Sequence, residues 1–154
     1  MSAHRVTVSW ALGDEDFLKR RYSRVHTLDF DGGVVVAGSA SPSVVPAPWS
    51  SAEAIDPEAA FTASLSACHM LWFLDHAARA GLVVRSYVDA AEGTLAKNAA
   101  GQLVMTKVAL RPRIEFAAEA PTAAVIDALH HAAHADCFIA NSVTTEVVIE
   151  RPPP

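Results

Sequence analysis

The sequence predicts an α+β fold in which antiparallel sheets wrap one central, apolar helix. Three observations carry this reading. Alternating apolar and polar residues recur in separate runs along the chain, which is the signature of half-buried strands. Residues 56–80 lack that alternation and carry helix signals at both ends. Gly, Pro and Asn clusters punctuate the runs where turns belong.

In order along the chain, Val6, Val8 and Trp10 alternate with Thr7 and Ser9, predicting a strand over 5–11. Residues 13–20 are polar and mixed in charge, and read as a loop. Alternation returns over 21–30, with Tyr22, Arg24, His26, Leu28 and Phe30 on one face. Asp31-Gly32-Gly33 predicts a hairpin into a third strand over 34–40. The stretch 41–51 carries Pro42, Pro46, Pro48 and Trp49, and reads as a loop with polyproline character.

The central helix follows. Asp56 suits the N-cap, Pro57 the first helical position, and Glu58 the positive end of the dipole. Gly81 is a natural stop. Small and apolar residues go nearly all the way round this helix, so it belongs in a core or a subunit interface. Thr62, Ser64, Ser66 and His69 interrupt it too often for a membrane span. One subunit has difficulty covering such a helix, so an obligate homodimer is expected, with two of these helices against each other.

Beyond Gly81, residues 82–96 and 103–116 read as two long strands joined by a turn over 98–101, with an edge or bulge at Pro112. Residues 121–135 have helical spacing, and 142–150 alternate as a last strand. The expected order is β-β-β-α-β-β-α-β, in a single domain over 1–154 with a tail at 150–154.

With 154 residues, 51% hydrophobic and 19% charged, the chain is long and apolar enough for a core. A net charge of −5 without a basic run argues against nucleic acid as a partner. The N-terminal residues show no apolar signal-peptide region, so a cytoplasmic location is expected. In a reducing compartment the two cysteines, Cys68 and Cys137, are inert core residues or redox and catalytic groups, rather than a structural disulfide.

Cys68 lies mid-helix, too far from the N-terminus for the dipole to activate it. It reads either as a small buried hydrophobe or as a nucleophile served by a cation from elsewhere. Cys137 follows the second helix and makes a peroxidatic and resolving pair conceivable. His69 neighbours Cys68 but points about 100° away round the helix, and reads as a hydrogen-bonded buried histidine or a pocket residue. His130 and His134 share a face with metal-like spacing, beside His131. A zinc site from Cys68, His69, His134 and Cys137 is chemically conceivable, but no CxxC or HExxH pattern supports it. No metal is therefore expected.

Asp56-Pro57-Glu58-x-x-Phe61-x-Ala63-x-Leu65-x-x-Cys68 resembles the cysteine helix of the OsmC/Ohr family of thiol peroxidases. His134-x-x-Cys137-x-Ile139-x-Asn141-Ser142-Val143 resembles that family's second-cysteine segment. Tyr22-Ser-Arg24-x-His26, Asp31-Gly-Gly33 and Ser39-Ala-Ser-Pro42 resemble its N-terminal half. The resemblance implies an OsmC-like fold and an intertwined homodimer. It implies reduction of organic hydroperoxides, with Cys68 peroxidatic and Cys137 resolving. No cofactor is implied; a dithiol reductant, lipoyl-type or thioredoxin-like, is consumed. The family's reactive cysteine is activated by an Arg that a Glu holds. Glu58 matches that Glu. Residues 43–55 hold no Arg or Lys, so Arg24 is the candidate Arg ahead of Arg20 and Arg21. On one helix Glu58 and Cys68 lie about 15 Å apart, so Glu58 would act across a pair of helices. His26, His69, Trp49 and Trp72 are candidate pocket residues. The same fold used as a non-enzymatic dimer binding a small molecule or lipid is the main alternative.

Overall fold

The structure, a computed structural model, describes residues 1–150. Contacts divide the chain into two compact units, Met1–Ala60 and Phe61–Pro154, and the division falls inside the first helix.

The first unit holds an antiparallel meander of β1 (Val6–Ser9), β2 (His26–Phe30) and β3 (Val35–Gly38). Val8 faces Leu28, and Leu28 faces Val36. The turn at Gly33 needs a positive φ, here 78°, which glycine adopts without a Cβ clash. The strand predicted over 21–30 starts only at His26. The residues before it have turned their amides to other acceptors. Arg24 N–H bonds the Trp49 carbonyl at 3.0 Å, and Val25 N–H bonds Ser23 Oγ at 3.2 Å. In the connection that precedes them, Phe17 and Tyr22 stack at 4.6 Å, and Trp10 packs edge-on to Tyr22 at 5.5 Å.

The central helix, α1, spans Pro57–Arg79. Asp56 caps it as expected, its Oδ1 accepting Ala59 N–H at 2.7 Å. Gly81, at φ 74°, ends it, and Leu82 N–H folds back onto the Ala77 carbonyl at 2.9 Å. Thr62, Leu65, His69, Phe73 and Ala77 form its buried stripe, at three- and four-residue spacing. Ala63, Ala67, Leu71 and Ala78 remain exposed.

Each of the two long strands expected after Gly81 is divided. Residues 82–96 give β4 (Val84–Asp89) and β5 (Glu92–Lys97); residues 103–116 give β6 (Leu103–Leu110) and β7 (Pro112–Phe116). β4 pairs with β7, and β5 pairs with β6, in two different sheets. Both strands break at one level. There Asp89 Oδ1 takes the Arg111 amide at 2.6 Å, and Pro112 has no N–H to continue a ladder. A second helix, α2 (Ala123–Asp136), is followed by a 3-10 turn, Ala140–Ser142, and β8 (Glu146–Ile149). β8 joins β6 in parallel, unlike the other pairs, because the connection through α2 is long enough for a crossover.

Two apolar clusters result. Phe73, Ala77, Leu129 and Ala133 join α1 to α2, with Tyr87, Ile114 and Phe116 packed against them. Leu65, Val108 and Leu110 join α1 to β6, with Val147 and Ile149 of β8 at the side. Glu150, where a tail was expected, is held: its amide bonds the Leu110 carbonyl, and its carboxylate meets Lys107 at 2.7 Å and Arg111 at 2.9 Å. The rest of that tail lies outside the described residues. Among those described, no helix is long and apolar enough to cross a membrane.

Candidate active site

Helical periodicity places Cys68 one residue from the buried stripe of α1, so its side chain is half-buried rather than sealed in. Cys137 caps the C-terminal end of α2 and is fully buried. The two thiols are neighbours, and both are free. Burial, and then the neighbouring Cys68 thiol, push the Cys137 thiol up to about 11. Cys137 is thus a thiol that keeps its proton near neutral pH.

The turn that carries Cys137 is closely knit. Cys137 N–H bonds the His134 carbonyl at 3.3 Å, and its carbonyl takes Asn141 N–H at 3.0 Å. Ala140 N–H reaches Cys137 Sγ at 3.4 Å. Asn141 Nδ2 donates to the Ala135 carbonyl at 2.8 Å, and Ser142 Oγ to the Phe138 carbonyl at 2.7 Å. Residues on either side of Cys137 also touch α1. Trp72 and Phe138 meet edge to face at 5.4 Å, and His76 Nε2 lies 2.9 Å from Asp136 Oδ2.

His69, about 100° round the helix from Cys68, faces α2. It is 1% exposed, and its Nε2 lies 3.0 Å from Nδ1 of His130 on α2. Burial, then the neighbouring His130 and His134, lower its pKa to about 4, so the ring is neutral. His130 is lowered too, chiefly by burial. His130 and His134 line a cavity of about 640 Å3 with Ile114, Ile126, Val147 and Ile149; neither cysteine lines it. Among the described residues no group of three or more His, Cys, Asp or Glu is arranged to hold a metal, so the conceivable zinc grouping is not assembled.

The remaining candidates belong to the first unit. Arg24 lies with its guanidinium carbon 3.7 Å from the centre of the Tyr22 ring, a cation–π geometry. Its Nη1 donates to the carbonyls of Tyr22 and Arg20. His26 Nδ1 donates to the Arg24 carbonyl at 2.8 Å, and the Arg24 amide bonds Trp49. Arg24, His26 and Trp49 therefore form one constellation. Gly38 is part of it: a Cβ there would lie 2.3 Å from His26 Nε2, so only glycine admits the imidazole. Glu58 sits half-buried in the first turn of α1.

Sequence reasoning gave no role to His76, Asp136 or Phe138. The signal for the first pair was faint: a His one turn past Trp72, and an acid beside the second cysteine. Neither has meaning until α1 and the end of α2 are packed together.

A family model described as "OsmC-like protein" matches residues 50–151. Among solved structures, an OsmC-like protein of unknown function from Vibrio cholerae superposes with a TM-score of 0.95 at 49% identity, over 99% of this chain and 100% of that one. An organic hydroperoxide resistance protein from Elizabethkingia anophelis follows at TM-score 0.72 and 16% identity, over 99% and 98%. Another from Bacillus subtilis has TM-score 0.69 and 16% identity, over 98% of each chain. At that identity the last two speak for the fold alone. No curated protein is similar enough in sequence to count as a match.

Proposed function

The chain belongs to the OsmC-like protein family, and from that premise we propose that it is a cysteine-based thiol peroxidase acting on organic hydroperoxides. One observation carries the reading: a half-buried free thiol, Cys68, beside a fully buried free thiol, Cys137, that burial keeps protonated. The pairing suits a two-cysteine cycle in which one sulfur attacks and the other waits.

In that cycle the Cys68 thiolate attacks the outer oxygen of the hydroperoxide. The O–O bond breaks, the alkoxide leaves and takes up a proton as the alcohol, and Cys68 becomes a sulfenic acid. Cys137 sulfur then attacks Cys68 Sγ. The sulfenic hydroxyl departs as water, taking the Cys137 proton, and the Cys68–Cys137 disulfide forms. A dithiol, lipoyl-type or thioredoxin-like, reopens it by exchange and is itself oxidised to a disulfide.

Arg24 and Glu58 are assigned to stabilising the thiolate and the developing alkoxide, Glu58 by holding the guanidinium. His26, His69, Trp49 and Trp72 are assigned to the walls that receive the alkyl group. The active form is assigned to a homodimer in the reducing cytoplasm. The exposed stripe of Ala63, Ala67, Leu71 and Ala78 on α1 favours a second copy, since these residues suit close helix contact.

The test is consumption of cumene hydroperoxide with dihydrolipoamide. Turnover in the wild type that vanishes in Cys68→Ser is the expected result. In Cys137→Ser a dimedone-reactive Cys68 sulfenate should accumulate. A folded dimer with both thiols titratable and no turnover above free dithiol would overturn the reading. The cavity beside His130 favours a second reading, in which the fold binds an apolar small molecule with the cysteines inert. Thermal stabilisation by apolar ligands, with slow alkylation of Cys68, would select it.

A further inference from the structure

Asp136, Cys137 and Phe138 are consecutive, and each meets a different turn of α1. Asp136 Oδ2 lies 2.9 Å from His76 Nε2. Cys137 meets Cys68. Phe138 packs edge-on against Trp72, with ring centres 5.4 Å apart and planes at 89°. Trp72 and His76 are four residues apart on one face of the helix, and their own rings stand 5.9 Å apart. Asp136, His76, Trp72 and Phe138 thus close a circuit around the backbone that presents Cys137. The circuit has one polar and one aromatic jaw, and both close on the same rigid helix.

This arrangement bears on reaction geometry. A thiol held on a free segment would sample many positions, whereas one held at contact distance reacts as an intramolecular partner. Backbone bonds within the turn hold its shape, but they do not fix it against α1. Ile139 and Ala140 pack on the Leu65 cluster beyond the sulfur, and the side chains of residues 136 and 138 hold the turn to α1 immediately on either side of it.

We propose that the His76–Asp136 pair and the Trp72–Phe138 contact form a clamp that holds Cys137 in attack position on Cys68, making His76 and Asp136 positioning residues for closure of the disulfide. The inference rests on the thiol-peroxidase reading for its biological use. Its chemistry, attack of Cys137 on an electrophilic sulfur at Cys68, can be measured without peroxide.

The experiment uses the full chain with 5,5′-dithiobis(2-nitrobenzoate). Cys68, the accessible thiol, reacts first: its thiolate displaces one thionitrobenzoate and leaves a mixed disulfide. Cys137 then attacks Cys68 Sγ and releases the second thionitrobenzoate, closing the Cys68–Cys137 bond. In the wild type the second release should be fast and independent of protein concentration. In Asp136→Asn and His76→Gln it should slow by roughly tenfold or more, with the first release unchanged. Trp72→Leu should slow it through the other jaw. Asp136→Glu, which can still reach His76, should recover part of the rate.

Asp136 is exposed, so its replacement leaves the core intact, and near-ultraviolet circular dichroism checks the fold. An unchanged second release in a folded Asp136→Asn variant overturns the clamp. So does a wild type that releases only one equivalent. Failure to turn over cumene hydroperoxide overturns the peroxidase reading and leaves these rates, and the clamp they measure, as they stand.

Discussion

His69 and His130 share one hydrogen bond, Nε2 to Nδ1 at 3.0 Å, with ring centres 5.3 Å apart and planes within 14° of parallel. The pair joins α1 to α2 beside the Phe73 ring, 4.6 Å from that of His130. Two neutral imidazoles satisfy it with a single proton between them. A second proton would place charge in a buried, apolar contact.

The consequence is a pH-dependent stability of definite sign. His69 titrates near 4 in the folded protein against 6.5 as a free side chain. The unfolded chain therefore binds the extra proton first. The stability linked to His69 is fully present above the free value and is lost as pH falls toward the folded one. From about pH 7 to about pH 5 the loss should be about 2 kcal/mol. Urea unfolding at the two pH values measures it. His69→Gln should flatten the slope; an equal slope in that variant would count against the assignment.

The two thiols should differ in reactivity. With Cys137 titrating near 11, only about one molecule in a thousand carries its thiolate near pH 8. It is also fully buried. Iodoacetamide should modify Cys68 first and leave Cys137 for unfolding conditions. Peptide mass spectrometry after a short exposure checks this, and equal labelling would contradict the asymmetry on which the roles rest.

Gly38 and Gly32 offer a paired test of the first unit. A Cβ at Gly38 would lie 2.3 Å from His26 Nε2, whereas one at Gly32 meets nothing within 4 Å. Gly38→Ala should destabilise by about 1–3 kcal/mol through forced repacking. It should also displace the His26 bond to the Arg24 carbonyl and lower peroxidase turnover with it. Gly32→Ala should change neither melting temperature nor turnover.

Asp89 is the knot where two strands break. Its Oδ2 takes the Ser66 hydroxyl at 2.5 Å, and its Oδ1 the Arg111 amide at 2.6 Å. Asp89→Ala leaves that amide without its acceptor and should cost about 1–3 kcal/mol. Hydrogen exchange at Arg111 should quicken, with Asp89→Asn intermediate. Unchanged exchange in Asp89→Ala would show that another acceptor replaces the carboxylate.

Local chemistry was enough to read α1. Asp56, Pro57 and Gly81 mark its ends, and the observed span, Pro57–Arg79, departs by a residue or so. The meander around Gly33, the second helix and the closing strand were likewise legible, because turn residues and period-two alternation are properties of neighbours in sequence. The cysteine helix could be recognised for the same reason: the Asp-Pro-Glu start and Cys68 lie on one continuous segment.

Whatever depends on partners distant in the chain had to wait for the fold. The break between β4 and β5 needs Asp89 to meet Arg111, and the late start of β2 needs Trp49 beside Arg24. His69 and His130, 61 residues apart, could not be paired from spacing. The meeting of Cys68 with Cys137, and of His76 with Asp136, arises only when α1 packs against the end of α2. A sequence specifies which surfaces are apolar, but several dockings of those surfaces satisfy the same pattern. Packing and the pairing of buried polar groups select one of them, and that selection decides which side chains become a site.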